Sequence, residues 1–218
     1  MLHSSVIRGT ANTRPSSGFV MRSQFNTGIT VTGAGVSKWA DQSGNGNDLL
    51  QGTDTNRPSK EADGSILFDG VDNNLRSTFT LNQPYTVYLL GKQITWASKH
   101  IFNGVTANTA LFQTGATPSV SLFAGAVVAA NTDWTLGTYN GLSIVFDGSS
   151  SLIQVADNAA TTGDPGAADP GGFTLAASNS TPASFSNIQV KEVLIYNVAH
   201  DANQRFQDIR YLTRINQI

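Results

Sequence analysis

The 218-residue sequence contains no cysteine and few charged residues. The absence of cysteine excludes disulfide bonds, thiolate catalysis, and zinc or iron–sulfur sites built on cysteine. Charged residues make up only 13% of the chain, against about 25% in typical globular domains. The formal net charge is −2, so the chain has no basic field that would attract nucleic acid or an anionic membrane. Its surface must therefore consist mostly of Ser, Thr, Asn, Gln and Gly.

Long apolar runs are also missing. No stretch approaches the roughly 18 consecutive apolar residues of a membrane-spanning helix. The first residues, Met1 to Arg8, lack the apolar run of a signal peptide. We therefore expect a complete product made in the cytoplasm, which would leave the cell, if it does, by a route other than signal-peptide secretion.

What the chain does contain is a series of short strand patterns punctuated by 21 glycines. Residues 142–146 and 152–156 are apolar segments on either side of Asp147-Gly148, a turn signal, and they predict a hairpin. No alternation of strands and helices occurs that would indicate a parallel α/β sheet. Many short strands at regular spacing predict an all-β sandwich. The other strand patterns lie at 85–90, 120–128, 173–177 and 188–196.

The two ends of the chain differ from this pattern. Residues 1–17 are polar and without periodicity, so we expect an extended N-terminal arm, held by its own domain or by a neighbouring subunit, before one folded domain at 18–218. Asp201 and Gln204 have the spacing of a capping box and predict the start of a C-terminal helix. The loop at 157–171 is expected to project from the body. The apolar stripe expected to pack the helix on the sandwich consists of Phe206, Ile209, Leu212 and Ile215.

Three motifs in order resemble a known family. The first is Trp39-x-Asp41-x-Ser43-Gly-x-Gly, the second is Phe68-Asp69-Gly-x-Asp72, and the third is the strand from Glu192 to Tyr196-Asn197, followed by the helix. Together they are similar to laminin-G-like domains of the concanavalin A type. This resemblance implies a jelly-roll sandwich of two antiparallel sheets over residues 18–218. It implies no single function, because such domains occur in bacterial surface proteins, in glycan-binding modules and in phage particles.

The Gly/Asn-rich turn of the first motif is a candidate calcium site. Asp41, Ser43 and Asn45 place oxygen atoms on alternate residues, as at the start of a calcium loop, but Gly52 stands where the complete loop needs Glu. The alternatives are calcium held by Asp41 with Asp69 or Asp72, or turns capped by their own side chains. Apart from calcium we expect no cofactor.

The sequence gives little support for catalysis. Glycoside hydrolysis needs two facing carboxylates, and concanavalin A-like glucanases place theirs close together on one strand. This chain has only two glutamates, Glu61 in a loop and Glu192 beside Lys191, and no strand carries two carboxylates at alternate positions. We expect a protein that is not an enzyme.

Sugar binding usually needs an exposed aromatic ring with amides or carboxylates beside it. Trp96, in a loop, is the first candidate for this role, although it could equally pack beneath that loop. Tyr139-Asn140, in a turn flanked by glycines, is the second. Trp134 is expected in the core.

These expectations lead to a first hypothesis about function. The low charge, polar arm, absent leader and lectin-like fold predict a non-catalytic bacteriophage virion protein, associated with capsid, fibre or tail and anchored through its arm to sister subunits or other virion proteins. Cell-surface glycans are a further expected partner, whereas nucleic acid and membrane insertion are not. The alternatives are a free-standing carbohydrate-binding lectin or adhesin, outside the cell or on its surface, and a glycan-cleaving enzyme.

Overall fold

The computed structural model describes residues 15–179 and 181–217. Most of the expected N-terminal arm, residues 1–14, lies outside the described residues. In the described part no helix is long and apolar enough to cross a lipid bilayer.

Within those ranges the chain forms sixteen strands and one α-helix. A single turn of 3₁₀ helix spans Asp54–Asn56, and helix α1 (Ala202–Asn216) follows the last strand. The strands in chain order are β1 (Met21–Ser23), β2 (Ile29–Thr32), β3 (Gly35–Trp39), β4 (Leu49–Leu50), β5 (Ser59–Lys60), β6 (Ile66–Asp69), β7 (Leu75–Ser77), β8 (Tyr85–Gln93), β9 (His100–Asn103), β10 (Ala110–Gln113), β11 (Val120–Phe123), β12 (Tyr139–Phe146), β13 (Ser151–Val155), β14 (Thr161–Gly163), β15 (Phe173–Leu175) and β16 (Asn187–Tyr196).

The strands form two eight-stranded antiparallel sheets. The first, here called the helix-covered sheet, has the order β14-β13-β12-β8-β16-β6-β5, with β1 paired to the second half of β16. The second, here called the open sheet, has the order β11-β10-β9-β15-β7-β4-β3-β2. The expected all-β sandwich of two antiparallel sheets is therefore confirmed, as is the hairpin, in which Leu142 pairs with Val155.

The core lies between the two sheets and is built from inward-facing residues of both. Trp134 is fully buried, as expected. Trp39 is also fully buried, and its indole Nε1 donates a hydrogen bond to the carbonyl oxygen of Gln24 at 2.9 Å. The largest buried side chains include Tyr85, Phe68, Phe102, Phe146 and Phe173.

Helix α1 packs on the outer face of the helix-covered sheet. Its expected capping box is confirmed, because the Asp201 side chain accepts from the Gln204 backbone N–H and the Gln204 side chain accepts from that of Asp201. Gly141 allows the close approach, since a Cβ there would lie 3.2 Å from Leu212 Cβ. The helix buries Ile209, Leu212 and Ile215.

One member of the predicted helical stripe faces solvent. Phe206 is 50% exposed, so its assignment to the buried face was wrong. The reason is geometric: steps of three residues turn by about 300° on a helix of 3.6 residues per turn. A stripe with that spacing drifts by about 60° per step, which places Phe206 opposite Ile215.

The expectation of a projecting loop at 157–171 was also wrong. Residues Thr161–Gly163 form β14 and pair with β13. The carbonyl oxygen of Pro165 accepts from the N–H groups of Ala124 and Ala126, and that of Pro170 accepts from Val105 N–H, each at 2.7 Å. The segment lies against the body because its proline carbonyls satisfy backbone donors of neighbouring loops.

Candidate functional site

The outer face of the helix-covered sheet is occupied by the protein itself. Tyr88 and Leu90 of β8 and Leu194 and Tyr196 of β16 pack against α1 and are fully buried. This face is therefore closed to a ligand over the area of the helix.

Two polar networks fasten elements to this covered face. In the first, the fully buried Glu192 accepts hydrogen bonds from Tyr211 Oη at 2.7 Å, from Phe25 N at 3.1 Å and from Arg22 Nε at 3.4 Å. Burial raises the pKa of Glu192, and the hydrogen bonds and the Arg22 charge offset only part of that rise. The network connects β1, β16 and α1, and its role is structural.

The second network fixes the described end of the N-terminal arm. Ser16 N donates to Asp208 Oδ1 at 2.7 Å, and Ser16 O accepts from the Tyr196 hydroxyl at 3.0 Å. Asp208 is fully buried and lies 3.5 Å from His200 Nδ1. Residue 16 is therefore held by its own domain.

The open sheet presents a row of side chains on its outer face. Residues directly opposite in an antiparallel pair share a face, and Leu49, Leu75 and Leu175 point into the core. Their outward neighbours Leu50, Arg76 and Thr174 are linked by register, Leu50 to Arg76 and Arg76 to Thr174. Leu50 is 51% exposed and Arg76 is partly exposed, whereas Thr174 is fully buried.

A groove of about 290 Å³ lies along this outer face between β4, β7 and the loop before β16. Its volume is near the lower end of the roughly 300–1,000 Å³ of small-molecule sites. It combines apolar and aromatic surface with amide and guanidinium groups and contains no carboxylate. The lining residues are Leu50, Gln51, Thr53, Asn56, Asn74, Arg76, Pro182 and Phe185.

Internal hydrogen bonds fix the amides of the groove. Gln51 Nε2 donates to Asn74 O at 3.2 Å, and Gln51 Oε1 accepts from Thr53 N at 3.0 Å. Asn74 Nδ2 donates to Asp72 O at 3.2 Å, and Asn56 Oδ1 accepts from the Thr55 hydroxyl at 2.9 Å. Because these bonds use only part of the capacity of each amide, the groove offers oriented donors and acceptors beside an apolar wall.

The sequence did not identify this groove. Its residues come from β4, the 3₁₀ turn, β7 and the loop before β16, and only the sheet order brings them together. The one local signal is the pattern Leu75-Arg76-Ser77, in which a charged residue interrupts an otherwise buried strand.

The predicted sugar-binding residues lie elsewhere. Trp96 is partly buried in the loop between β8 and β9, and its role stays a prediction. Tyr139 and Asn140 begin β12 in the helix-covered sheet, opposite Lys92 and Gly91.

Contacts within the protein already occupy the ring of Tyr139. The ammonium groups of Lys92 and Lys191 lie 4.8 and 4.7 Å from its centroid. Its hydroxyl donates to Gln189 Oε1 at 3.3 Å and to Asp63 Oδ2 at 3.4 Å. Burial raises the pKa of Tyr139 to about 12, and the Asp63 charge adds to the rise, so the phenol keeps its proton at neutral pH.

The three predicted metal ligands are not brought together. Asp41 accepts hydrogen bonds from the backbone N–H groups of Arg22, Ser43 and Asn47 and from the Ser43 hydroxyl. Burial favours its protonated form, yet these bonds outweigh burial and hold the pKa of Asp41 below its ordinary value. This is the self-capped turn that the sequence offered as the alternative.

Asp69 lies at the other end of β16. Asp69 pairs with Asn187, whereas Asp41 is bridged to Ser23, which pairs with Val193. Six residues of strand separate these levels, roughly 20 Å. Asp69 and Asp72 lie in one turn, where they accept from Val71 N and Asn73 Nδ2. Within residues 15–179 and 181–217 no group of three or more His, Asp or Glu side chains could hold a metal ion.

No family model matches the chain, and no curated protein matches it. Among solved structures it is similar to Trypanosoma rangeli sialidase in complex with sialic acid, with a TM-score of 0.62 and 15% identity over 92% of this chain and 33% of the sialidase. The chain thus spans about a third of that protein.

Two further structures extend this comparison. Domain 4 of AbnA, an extracellular GH43 arabinanase from Geobacillus stearothermophilus, in complex with arabinotriose, is similar with a TM-score of 0.60 and 15% identity over 88% of this chain and 98% of that domain. A mutant GH54 α-L-arabinofuranosidase is similar with a TM-score of 0.60 and 11% identity over 91% of this chain and 60% of the arabinofuranosidase chain. At these identities the similarity shows the fold alone. The resemblance to laminin-G-like domains is consistent with this sandwich, and membership of that family stays a prediction.

Proposed function

We propose that this chain is a non-catalytic carbohydrate-binding module whose ligand lies in the groove of the open sheet. The observation that carries the proposal is the composition of the groove. Leu50 and Phe185 provide apolar surface for the face of a sugar ring, and Gln51, Asn56 and Asn74 provide amides for its hydroxyl groups. Such an arrangement suits an uncharged polyol that is apolar on one face and hydrogen-bonding at its rim.

The structural neighbours support a carbohydrate ligand. The arabinanase domain was solved with arabinotriose and the sialidase with sialic acid. The domain comparison is the more pertinent of the two, because 88% of this chain matches 98% of that domain. A sandwich of similar extent therefore occurs in a protein that holds an oligosaccharide.

The placement of the acidic residues supports binding without cleavage. A glycosidase needs two carboxyl groups roughly 5–10 Å apart across the bound sugar, and the groove has no carboxylate in its lining. Glu192 is fully buried beneath α1, on the other sheet. Glu61 lies next to edge strand β5, where it accepts from the Ser59 hydroxyl at 2.6 Å.

The virion hypothesis gains no support from these observations. One of its grounds was a polar arm that would tether the domain to other subunits. Of that arm the structure describes residues 15–17, and Ser16 is bound by Asp208 and Tyr196 of the same chain. A place in a phage particle, like a location outside the cell, stays a prediction.

The test is a glycan array followed by calorimetric titration, with arabinotriose as the first defined probe. We expect Phe185→Ala to weaken binding at least about fivefold through loss of ring stacking. Phe206→Ala is the matched control, because Phe206 is half exposed on the helix, on the other sheet. Asn56→Ala tests whether the amides of the groove contribute to binding, and Asn158→Ala, at an exposed position, is its control. Absence of binding to any array glycan, or equal affinities for Phe185→Ala and Phe206→Ala, would refute the proposal.

A further inference from the structure

A row of rings continues from the groove across the open sheet. Phe185, which lines the groove, forms a parallel bridge with His100, whose N–H donates to Ser184 O at 3.0 Å. The His100 and Phe112 rings lie 6.0 Å apart, centroid to centroid, and the two residues are opposite each other in the register of β9 and β10. All three rings are partly exposed.

The groove and the row together are long. From Leu50 on β4 to Phe112 on β10 the sheet order crosses β7, β15 and β9, which makes four inter-strand steps. At about 4.8 Å per step the distance is roughly 19 Å. This is several times the width of one sugar ring, so a single sugar would contact only part of the surface.

The row carries little net charge. Burial lowers the pKa of His100, and the neighbouring Lys99 lowers it further, so the ring is neutral at neutral pH. Lys38, next to Leu50 in the sheet register, lies 3.6 Å from Asp48 and is paired with it. Among the described residues that line the groove, Arg76 is the one charged side chain, and the other groups along the path are uncharged rings and amides, which suit repeated uncharged sugar units.

We propose that the site recognises the interior of a neutral polysaccharide chain, which crosses the strands of the open sheet from Leu50 to Phe112. This inference rests on the proposed carbohydrate-binding function and adds the class of ligand to it. The groove holds one part of the chain, and the rings of His100 and Phe112 hold the sugars that follow. A ligand recognised only by its terminal sugar would use the groove alone.

The test is a length series. Linear arabino-, xylo-, cello- and manno-oligosaccharides of two to six units are titrated into the wild type, Phe112→Leu and the control Phe206→Ala. Leucine keeps an apolar side chain at position 112 but removes the ring plane, and circular dichroism checks that each variant is folded.

We expect affinity to rise with length in the series that binds. Phe112→Leu should leave the shortest member unchanged and weaken the longest at least about fivefold. Equal affinity for short and long members, or an equal effect of Phe112→Leu at every length, would overturn the inference while leaving the proposed function in place. Binding of charged array glycans only would also overturn it, and binding of no glycan would reject the proposed function and this inference together.

Discussion

The two sheets present outer faces of opposite character. On the helix-covered sheet, β8 and β16 are buried on both faces almost throughout, and residues 87–90 and 193–196 form continuous apolar runs within them. On the open sheet, β7 alternates, with Leu75 inward and Arg76 outward. The difference shows that a continuous apolar run marks a strand segment covered on both sides, whereas the alternation at Arg76 marks an outer face without such a cover.

The largest expected effect tests this contrast with one residue type on each face. Leu212→Ala removes a fully buried side chain between α1 and the helix-covered sheet, and should lower the free energy of unfolding by about 2–5 kcal/mol. Leu50→Ala removes a side chain that is 51% exposed, and should change it by less than about 0.5 kcal/mol. Urea denaturation measures both.

Equal losses of unfolding free energy for the two leucine variants would contradict the difference between the two outer faces. They would mean that Leu50 is covered in solution, for example by a second copy of the chain, and that the groove is an interface. Dependence of the unfolding midpoint on protein concentration would distinguish that case, because association stabilises by mass action.

The chain's two glutamates provide the next contrast. Glu192→Gln replaces a buried acceptor that serves Arg22, Phe25 and Tyr211, and should cost about 1–3 kcal/mol of unfolding free energy. Glu61→Gln, the matched control, changes a residue beside an edge strand and should cost less than about 0.5 kcal/mol. If the two variants have the same stability, the buried network does not hold the covered face together.

The helix cap is expected to contribute less to the free energy of unfolding than the Glu192 network. Asp201→Ala removes the acceptor for Gln204 N–H, and should lower the free energy of unfolding by about 1 kcal/mol. Asp157→Ala, an exposed aspartate that lines the shallow groove between β13 and the first turn of α1, serves as the control. A null result for Asp201→Ala would show that packing alone sets where α1 begins.

Much of the fold could be predicted because its signals are local. The capping box at Asp201, the turn at Asp147-Gly148 and the long apolar strands each lie within one segment of sequence. The prediction was wrong for Phe206 because the three-residue spacing was extended along the helix without the rotation of each step. It was wrong for residues 157–171 because a polar segment was expected to project from the body.

The candidate site could not be predicted in the same way. Asn56, Arg76 and Phe185 meet only because β7 lies between β4 and β15 in the open sheet. The surroundings of Tyr139 could not be predicted for a related reason, since the lysines beside its ring come from β8 and β16. A single sequence shows the aromatic residue but not the neighbours that strand pairing brings to it.

The smallest effect concerns the row of rings on the open sheet. Burial, assisted by Lys99, lowers the pKa of His100 from its ordinary 6.5. The folded protein therefore binds this proton less tightly than the unfolded chain. Titration of His100 does not change the free energy of unfolding above about pH 6.5. It lowers the free energy of unfolding as the pH falls from there through the folded-state pKa.

His100→Gln should therefore flatten the fall in unfolding free energy below about pH 6.5, and Lys99→Gln should flatten part of it, in denaturation series measured from about pH 7.5 downward. The test compares the slope of unfolding free energy against pH rather than its absolute value, because His100→Gln also changes packing against Phe112. An unchanged slope would mean that the His100 ring titrates as freely in the folded protein as in the unfolded chain. In that case acid would charge the row at no cost to folding, and the rings of the row would be uncharged only above the ordinary pKa of histidine.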